Sequence, residues 1–158
     1  MSATPTPVPE LHPNDFLAPE PAIVARLQEA LADLRPKVHV LTAAQLATVR
    51  EDTQPVPAVH VVWNGFRVLE SRVDGAAARL DHTWLIVTAV RNVSQLKSGA
   101  AARLDAGPIA ARAGAALMGF RPPNVQGPLR LAPAPGAGGS NGFFYLPLAF
   151  QVETVFQR

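Results

Sequence analysis

The chain has 158 residues, a length typical of one domain, and 48% of them are hydrophobic. Much of that fraction is alanine and the aromatic residues number only 7 Phe, 2 Trp and 1 Tyr, so we expect Ala-rich helices lying close to a sheet. The absence of cysteine excludes disulfides, thiolate zinc sites, iron–sulfur clusters and cysteine nucleophiles.

Charge is unevenly distributed along the chain. Residues 1–90 carry 7 basic and 10 acidic groups, a net charge of −3, whereas residues 91–158 carry 7 basic and 2 acidic groups, a net charge of +5. This asymmetry would help copies of the chain associate head to tail or dock on an acidic partner, and the alternative is scattered surface charge. No signal peptide is visible and the apolar run at 84–90 is too short to span a bilayer, so we expect a soluble protein with no membrane partner.

Proline organises the first part of the chain. Residues 1–18 are expected to form a proline-rich N-terminal arm and residues 19–158 a single domain. Pro19 and Pro21 suit the first turn of a helix, and Pro36 ends it. The apolar stripe of this helix comprises Ile23, Leu27, Leu31 and Leu34.

Strands are predicted next. A short strand over 37–41 is followed by Thr42, a plausible N-cap for a short helix that reaches about Arg50. Residues 58–63 alternate as a strand, and Asn64-Gly65 indicates a turn or bulge beyond which the strand continues.

Residues 80–91 form the clearest strand, and their consecutive apolar residues predict a central position with both faces covered. The segments 57–70 and 78–92 together predict a long antiparallel hairpin with a wide loop at 71–79. An Ala-rich helix over 97–119 follows, which Gly107-Pro108 should kink or divide.

The end of the chain is predicted to be extended. Residues 128–132 form a short strand, residues 133–142 a loop, and residues 143–156 a long strand in which Pro147 favours an edge or bulge position. The succession predicts an α+β, two-layer fold in which a mostly antiparallel sheet of about four to five strands packs with two or three helices.

No catalytic motif is present: the chain contains no GxGxxG after a strand and no Walker A, GxSxG or HExxH sequence. The glycine-rich segment Gly136–Gly142 lacks a following lysine and helix, so it is interpreted as a loop tip and not as a phosphate loop. Glu51 and Asp52 are adjacent and point apart, and Ser140 has no positioned base, so no catalytic residues are assigned.

Three histidines need a test as metal ligands. His39, His60 and His82 each lie on a predicted strand, and Asp81 beside His82 is a possible partner for its imidazole. His39 and His60 alternate with the core valines, so exposed or interface histidines are favoured over a metal site. Trp63 and Trp84 are interpreted as core or interface residues and not as a stacking platform for bases.

Six segments share a familiar order, and they cover nearly the whole chain between residues 20 and 156. They are Val38–Ala44, Pro57–Gly65, Thr83–Val93, Gly99–Arg103, Leu117–Pro123 and Gly142–Phe150. This succession resembles the tail terminator, or tail completion, proteins of Mu-like and related long-tailed bacteriophages.

The resemblance implies a fold similar to the lambda tail terminator and a structural role without cofactor or catalytic residues. Such proteins form a homo-oligomeric ring, typically a hexamer, on the tail tube, where they stop tube polymerisation and provide the surface to which the head joins. It further implies a location at the head-proximal end of the virion tail after assembly in the bacterial cytoplasm. DNA would pass the lumen without specific binding. The alternatives are a head–tail joining (neck) protein, a small nucleic-acid or ligand-binding module, and an enzyme.

Overall fold

The computed structural model describes residues 10–91 and 100–158, with side chains described for 10–91 and 105–158. Within these residues the chain forms a six-stranded mixed sheet and three α-helices, and α1 and α3 contact each other and the sheet. The predicted α+β fold is therefore confirmed. The elements are α1 (Pro19–Ala30), β1 (His39–Thr42), α2 (Ala43–Leu46), a 3-10 turn (Glu51–Thr53), β2 (Ala58–Ser71), β3 (Ala77–Arg91), α3 (Ala100–Leu117), β4 (Arg130–Ala132), β5 (Gly138–Ser140) and β6 (Phe143–Gln157).

The strand order is β1-β2-β3-β6-β4, with β5 also paired to β6. β1 is parallel to β2 and every other pair is antiparallel. The predicted β2–β3 hairpin and the central position of β3 are confirmed. The wide loop is not, because β3 already begins at Ala77 and Arg72 N donates to Ala77 O at 2.9 Å, which closes a tight turn.

Two local sequence signals act as predicted. The β2–β3 register shifts between Trp63 and Phe66, and Gly65 there has a φ of 86°, a conformation that side chains with a Cβ rarely adopt. Thr42 caps α2 in a capping box with Gln45, whose backbone N–H donates to Thr42 Oγ1. That helix ends at Leu46, before the predicted limit.

Of the two outcomes expected at Gly107-Pro108, a kink or a division, the division does not occur, since α3 continues through Pro108 as one element. Its inner side is buried against the sheet, and this packing holds the backbone where proline alone would break it. Gly114 lets the helix lie close, because a Cβ there would stand 3.0 Å from Leu148 Cδ1. The predicted residues 97–99 lie outside the described part of the chain. The buried residues of this side include Ala106, Ile109, Ala110, Ala113 and Leu117.

β6 runs beside β3 over its whole length without a bulge. On its other side it pairs with β5 at 143–145 and with β4 at 149–151, so Pro147 lies in the gap between them. Pro147 thus occupies a one-sided edge, where no second neighbour needs an N–H. β5 corrects the predicted loop at 133–142: Asn141 and Gly142 both have positive φ and form a two-residue hairpin turn into β6.

The core lies between the helices and the face of the sheet that they cover, here called the helix-side face. The alternation predicted for β6 is confirmed from Phe144 to Val152, whereas Phe156, assigned to the same stripe, is 42% exposed. Fully buried side chains on this face are Val59, Val61, Trp84, Ile86, Phe150 and Val152.

Candidate functional site

The far half of the β2–β3 hairpin extends beyond the helices, and Phe16 covers its helix-side face. The Phe16 ring lies 5.1 Å from the ring of His82, 5.2 Å from Phe66, 5.5 Å from Phe156 and 5.8 Å from Trp63, measured between centroids. We call these five residues the aromatic cluster. Ring pairs at such separations are stabilising beyond the area that they bury, so Phe16 completes a small second core.

Hydrogen bonds fix the backbone around Phe16. The Asn14 side chain donates to Gln157 O at 2.7 Å and accepts from Gln157 N at 3.1 Å. It thus bonds to the Gln157 backbone in the way that a residue of a neighbouring strand would. Asn124 Nδ2 donates to His12 O at 2.8 Å, and Asp15 Oδ1 accepts from Leu17 N at 2.9 Å. Residues 12–17 of the proline-rich stretch therefore lie on the end of β6.

His82 sits beneath Phe16 with 1% of its surface exposed. Trp63 Nε1–H donates to His82 Nδ1 at 3.0 Å, and His82 Nε2 lies 2.8 Å from Thr154 Oγ1. Burial lowers the pKa of His82 below its ordinary value of 6.5, and the negative charge of Asp81 partly offsets this effect. Asp81, which the sequence offered as a partner for this imidazole only within the disfavoured metal-site hypothesis, lies on the other face of the sheet, because successive strand residues point to opposite faces.

Asp81 instead anchors a charged cluster on the other face of the sheet, here called the open face. Its carboxylate, only 2% exposed, accepts hydrogen bonds from Arg67 at 3.3 Å and from Arg130 at 3.0 Å. Arg130 also lies 3.8 Å from Glu153. Two exposed guanidinium groups thus satisfy a buried carboxylate, and the cluster joins β2, β3, β4 and β6.

The segment before β2 covers the opposite end of the open face. Gln54 Nε2 donates to Tyr145 Oη at 2.8 Å, Tyr145 Oη donates to Glu51 Oε1 at 2.8 Å, and Asn141 Nδ2 donates to Glu51 Oε2 at 3.0 Å. The bonds from Asn141 and Tyr145 lower the pKa of Glu51. Burial raises the pKa of Tyr145, and it lowers that of His60, whose ring lies 6.3 Å from Tyr145.

The three histidines do not converge. His39 and His60 lie on the open face and His82 on the helix-side face. No group of three metal-binding side chains occurs among the described residues. The sequence favoured exposed or interface histidines; His60, which is 7% exposed, and His82, which is 1% exposed, are buried within the subunit, because Tyr145 lies beside the first and Phe16 lies over the second.

Other candidates for chemistry are also dispersed. Glu51 bonds to Tyr145, whereas Asp52 pairs with Arg50 at 3.4 Å, so the adjacent carboxylates point apart as predicted. Trp84 is wholly buried in the core. In the part of the chain that the structure describes, no helix has both the length and the apolar character to cross a bilayer.

A family model described as phage tail terminator protein matches residues 13–158. The chain belongs to the phage tail terminator family. This is a family of structural phage tail proteins and not of enzymes, so the chain is a structural component of the phage virion.

Solved structures give a further comparison for this tail terminator family member. A chain in the virion of a native gene transfer agent (GTA) particle is 18% identical, with a TM-score of 0.48, over 88% of this chain and 98% of that chain. No curated protein matches the chain.

For a tail terminator family member, surfaces that contact other proteins are the features of interest. The hairpin end presents Val73, which is fully exposed, together with Val68 at 55% and Phe66 at 46% exposure. Contiguous exposed apolar surface marks protein contact sites, so these side chains are the candidate contact residues of the hairpin end. Sequence analysis missed Phe16 beside them, although it is the only aromatic residue before Trp63.

Proposed function

We propose that the chain forms a ring, with six copies as the expected number, on the head-proximal end of the tail tube. There it stops tube polymerisation and provides the surface to which the head joins. The single observation that carries this proposal is the family match over residues 13–158. The ring acts by contact alone, without cofactor or catalytic residue, and it assembles in the host cytoplasm before entering the virion.

A ring requires a heterologous contact, in which two different patches of each copy meet around a closed rotation. The two sequence halves are interleaved in one sheet, since β3 of the first half pairs with β6 of the second, so their opposite net charges do not by themselves define two separate surfaces. Arg130 and Asp81 further join the halves by an ion pair. We assign one patch instead to the exposed apolar hairpin end at Val68 and Val73.

DNA passes the ring lumen without specific binding in this proposal. The net charge of +2 supports this, and so does the use of Arg67 and Arg130 in an ion-pair cluster with Asp81. Retention of the purified protein on DNA that persists at physiological salt would favour the alternative, a nucleic-acid-binding module.

The proposal is tested by adding the purified protein to polymerising tube protein and imaging the products by electron microscopy. A terminator yields short tubes with one ring at an end. The solution mass of the protein should correspond to one subunit unless rings form, and it should rise when tube protein is added. Tubes of unchanged length without end rings would exclude the role. A neck protein would instead leave tube length unchanged and bind to tubes that are already complete.

A further inference from the structure

Phe16 packs on His82 and on the three other rings of the aromatic cluster, at centroid separations between 5.1 and 5.8 Å. The remaining anchors of this segment are hydrogen bonds of Asn14 and His12 at the exposed surface. The segment 10–18 is therefore held by hydrogen bonds at the surface and by an aromatic contact that includes a titratable side chain.

The hydrogen bonds of His82 require the neutral ring. Since the indole N–H of Trp63 can only donate, His82 Nδ1 must accept, and the proton lies on Nε2, from which it is donated to Thr154 Oγ1. The imidazolium form carries hydrogen on both nitrogens. Protonation of His82 would make the Nδ1–H of the ring face the indole N–H of Trp63, so that two donors meet. It would also place a positive charge in a buried site.

Among the side chains that the structure describes, no carboxylate lies within bonding distance of the His82 ring to compensate that charge. β2 contributes Trp63 and Phe66 to the surroundings of His82, β6 contributes Thr154, and the 10–18 segment contributes Phe16. The nearest acidic groups are engaged elsewhere. Asp81 and Glu153 belong to the cluster with Arg67 and Arg130 on the open face, and Asp15, which lines a small cavity with Phe16 and Thr154, bonds to Leu17 N.

We propose that residues 10–18 form a strap that closes over the aromatic cluster while His82 is neutral and opens when His82 is protonated. Opening removes Phe16 and uncovers Trp63, Phe66 and Phe156 at the hairpin end. The device belongs to the single subunit and does not depend on the ring.

The direction of the pH effect follows from linkage. His82 in the open state has a pKa near the ordinary 6.5, whereas burial lowers the pKa in the closed state. Closure is thus fully favoured above pH 6.5 and weakens as the pH falls below it, by at most about tenfold per pH unit for one proton. The weakening stops once the pH falls below the pKa of the closed state.

The chain offers an internal control, because it contains two tryptophans. In proton–nitrogen NMR spectra from pH 7.5 to 4.5, the Trp63 indole signal should shift together with the Gln157 amide, which bonds to Asn14 Oδ1. The indole signal of Trp84, buried in the core, should stay in place while circular dichroism reports a folded domain. Independent movement of the first two signals, or no movement before global unfolding, would overturn the proposal.

Two variants identify the titrating group. His82→Asn retains an acceptor for Trp63 but has no proton to gain, so the Gln157 amide should no longer shift. Asp15→Asn, in the same strap, should leave the transition in place. Persistence of the transition in His82→Asn, or its loss in Asp15→Asn, would assign the effect to another group. If His82→Asn does not fold, the ring signals of His82 and His12 in the unmodified chain decide the question: the Gln157 amide should shift with the midpoint of the His82 ring, and a shift that follows the His12 ring instead would overturn the proposal.

Discussion

Tyr145 Oη donates a hydrogen bond of 2.8 Å to Oε1 of Glu51 and, through its second contact with Gln54, joins the segment before β2 to β6. The two residues are far apart in the sequence, and β6 and β2 are separated in the sheet by β3. This phenol therefore holds a crossing segment over the open face, where His60 is buried beside it.

Tyr145→Phe should lower the free energy of unfolding by about 1 kcal/mol, because both hydrogen bonds of the hydroxyl are lost while the ring stays in place. Urea denaturation followed by circular dichroism measures the change. Asp52→Asn is the matched control, since within residues 10–91 and 105–158 Asp52 pairs only with the exposed Arg50, and it should have almost no effect. Equal stability of the Tyr145 variant and the unmodified chain would mean that the crossing segment does not depend on this contact.

Burial of His60 leads us to expect a second effect of pH, on the free energy of unfolding of the whole domain. Burial lowers its pKa in the folded state, so its contribution is fully present above 6.5 and declines as the pH falls below that value. His60→Leu removes a buried ring whose Nε2 has no partner among the described residues, so it should flatten the decline between pH 6.5 and 5. We also expect about 1 kcal/mol of added stability at pH 6. Thermal melts at several pH values test this, and an unchanged slope would contradict it.

The two carboxylates of the ion-pair cluster, Asp81 and Glu153, should contribute unequally to the free energy of unfolding. Asp81→Asn replaces a buried carboxylate that serves two arginines, and we expect a loss of about 2 kcal/mol. Glu153→Gln affects only the longer contact of 3.8 Å and should cost less than about 0.5 kcal/mol. Chemical denaturation of both variants provides the comparison. A loss for Glu153→Gln as large as that for Asp81→Asn would show that burial of Asp81 is not what matters.

The hairpin end should act in assembly and not in folding. Val73→Asp changes a fully exposed side chain, so the melting temperature should stay within about 1 °C while ring formation on tube protein falls at least tenfold. Leu131→Asp is the matched control, because Leu131 is 53% exposed on β4, away from the hairpin. Normal rings from the Val73 variant would move the subunit contact to another surface.

The strands could be predicted because their signals are local. The apolar alternation in β2 and β6 and the apolar run in β3 identify these segments as strands. In the sheet β3 pairs with both of the others. The Asn141-Gly142 pair is a sequence signal for the hairpin turn between β5 and β6. It was overlooked because the surrounding composition is typical of a loop. Pro108 shows the limit of local rules, since packing of α3 on the sheet outweighs the helix-breaking preference of proline.

The surroundings of the candidate site were harder to predict from the sequence than the strands were. His60 is buried beside Tyr145, which follows it by 85 residues, and His82 is buried beneath Phe16, which precedes it by 66 residues. Strand alternation did place His60 opposite the core valines, but it contains no information about what covers that face. Long-range covering of this kind depends on tertiary structure and not on any short pattern.

Whether the ring ends tube growth is decided by the length of tails made in cells infected with phage that lack this protein. We expect headless tails longer than normal, with normal length and head joining restored when the protein is supplied from a plasmid. Free tails of normal length, with only head joining lost, would contradict it.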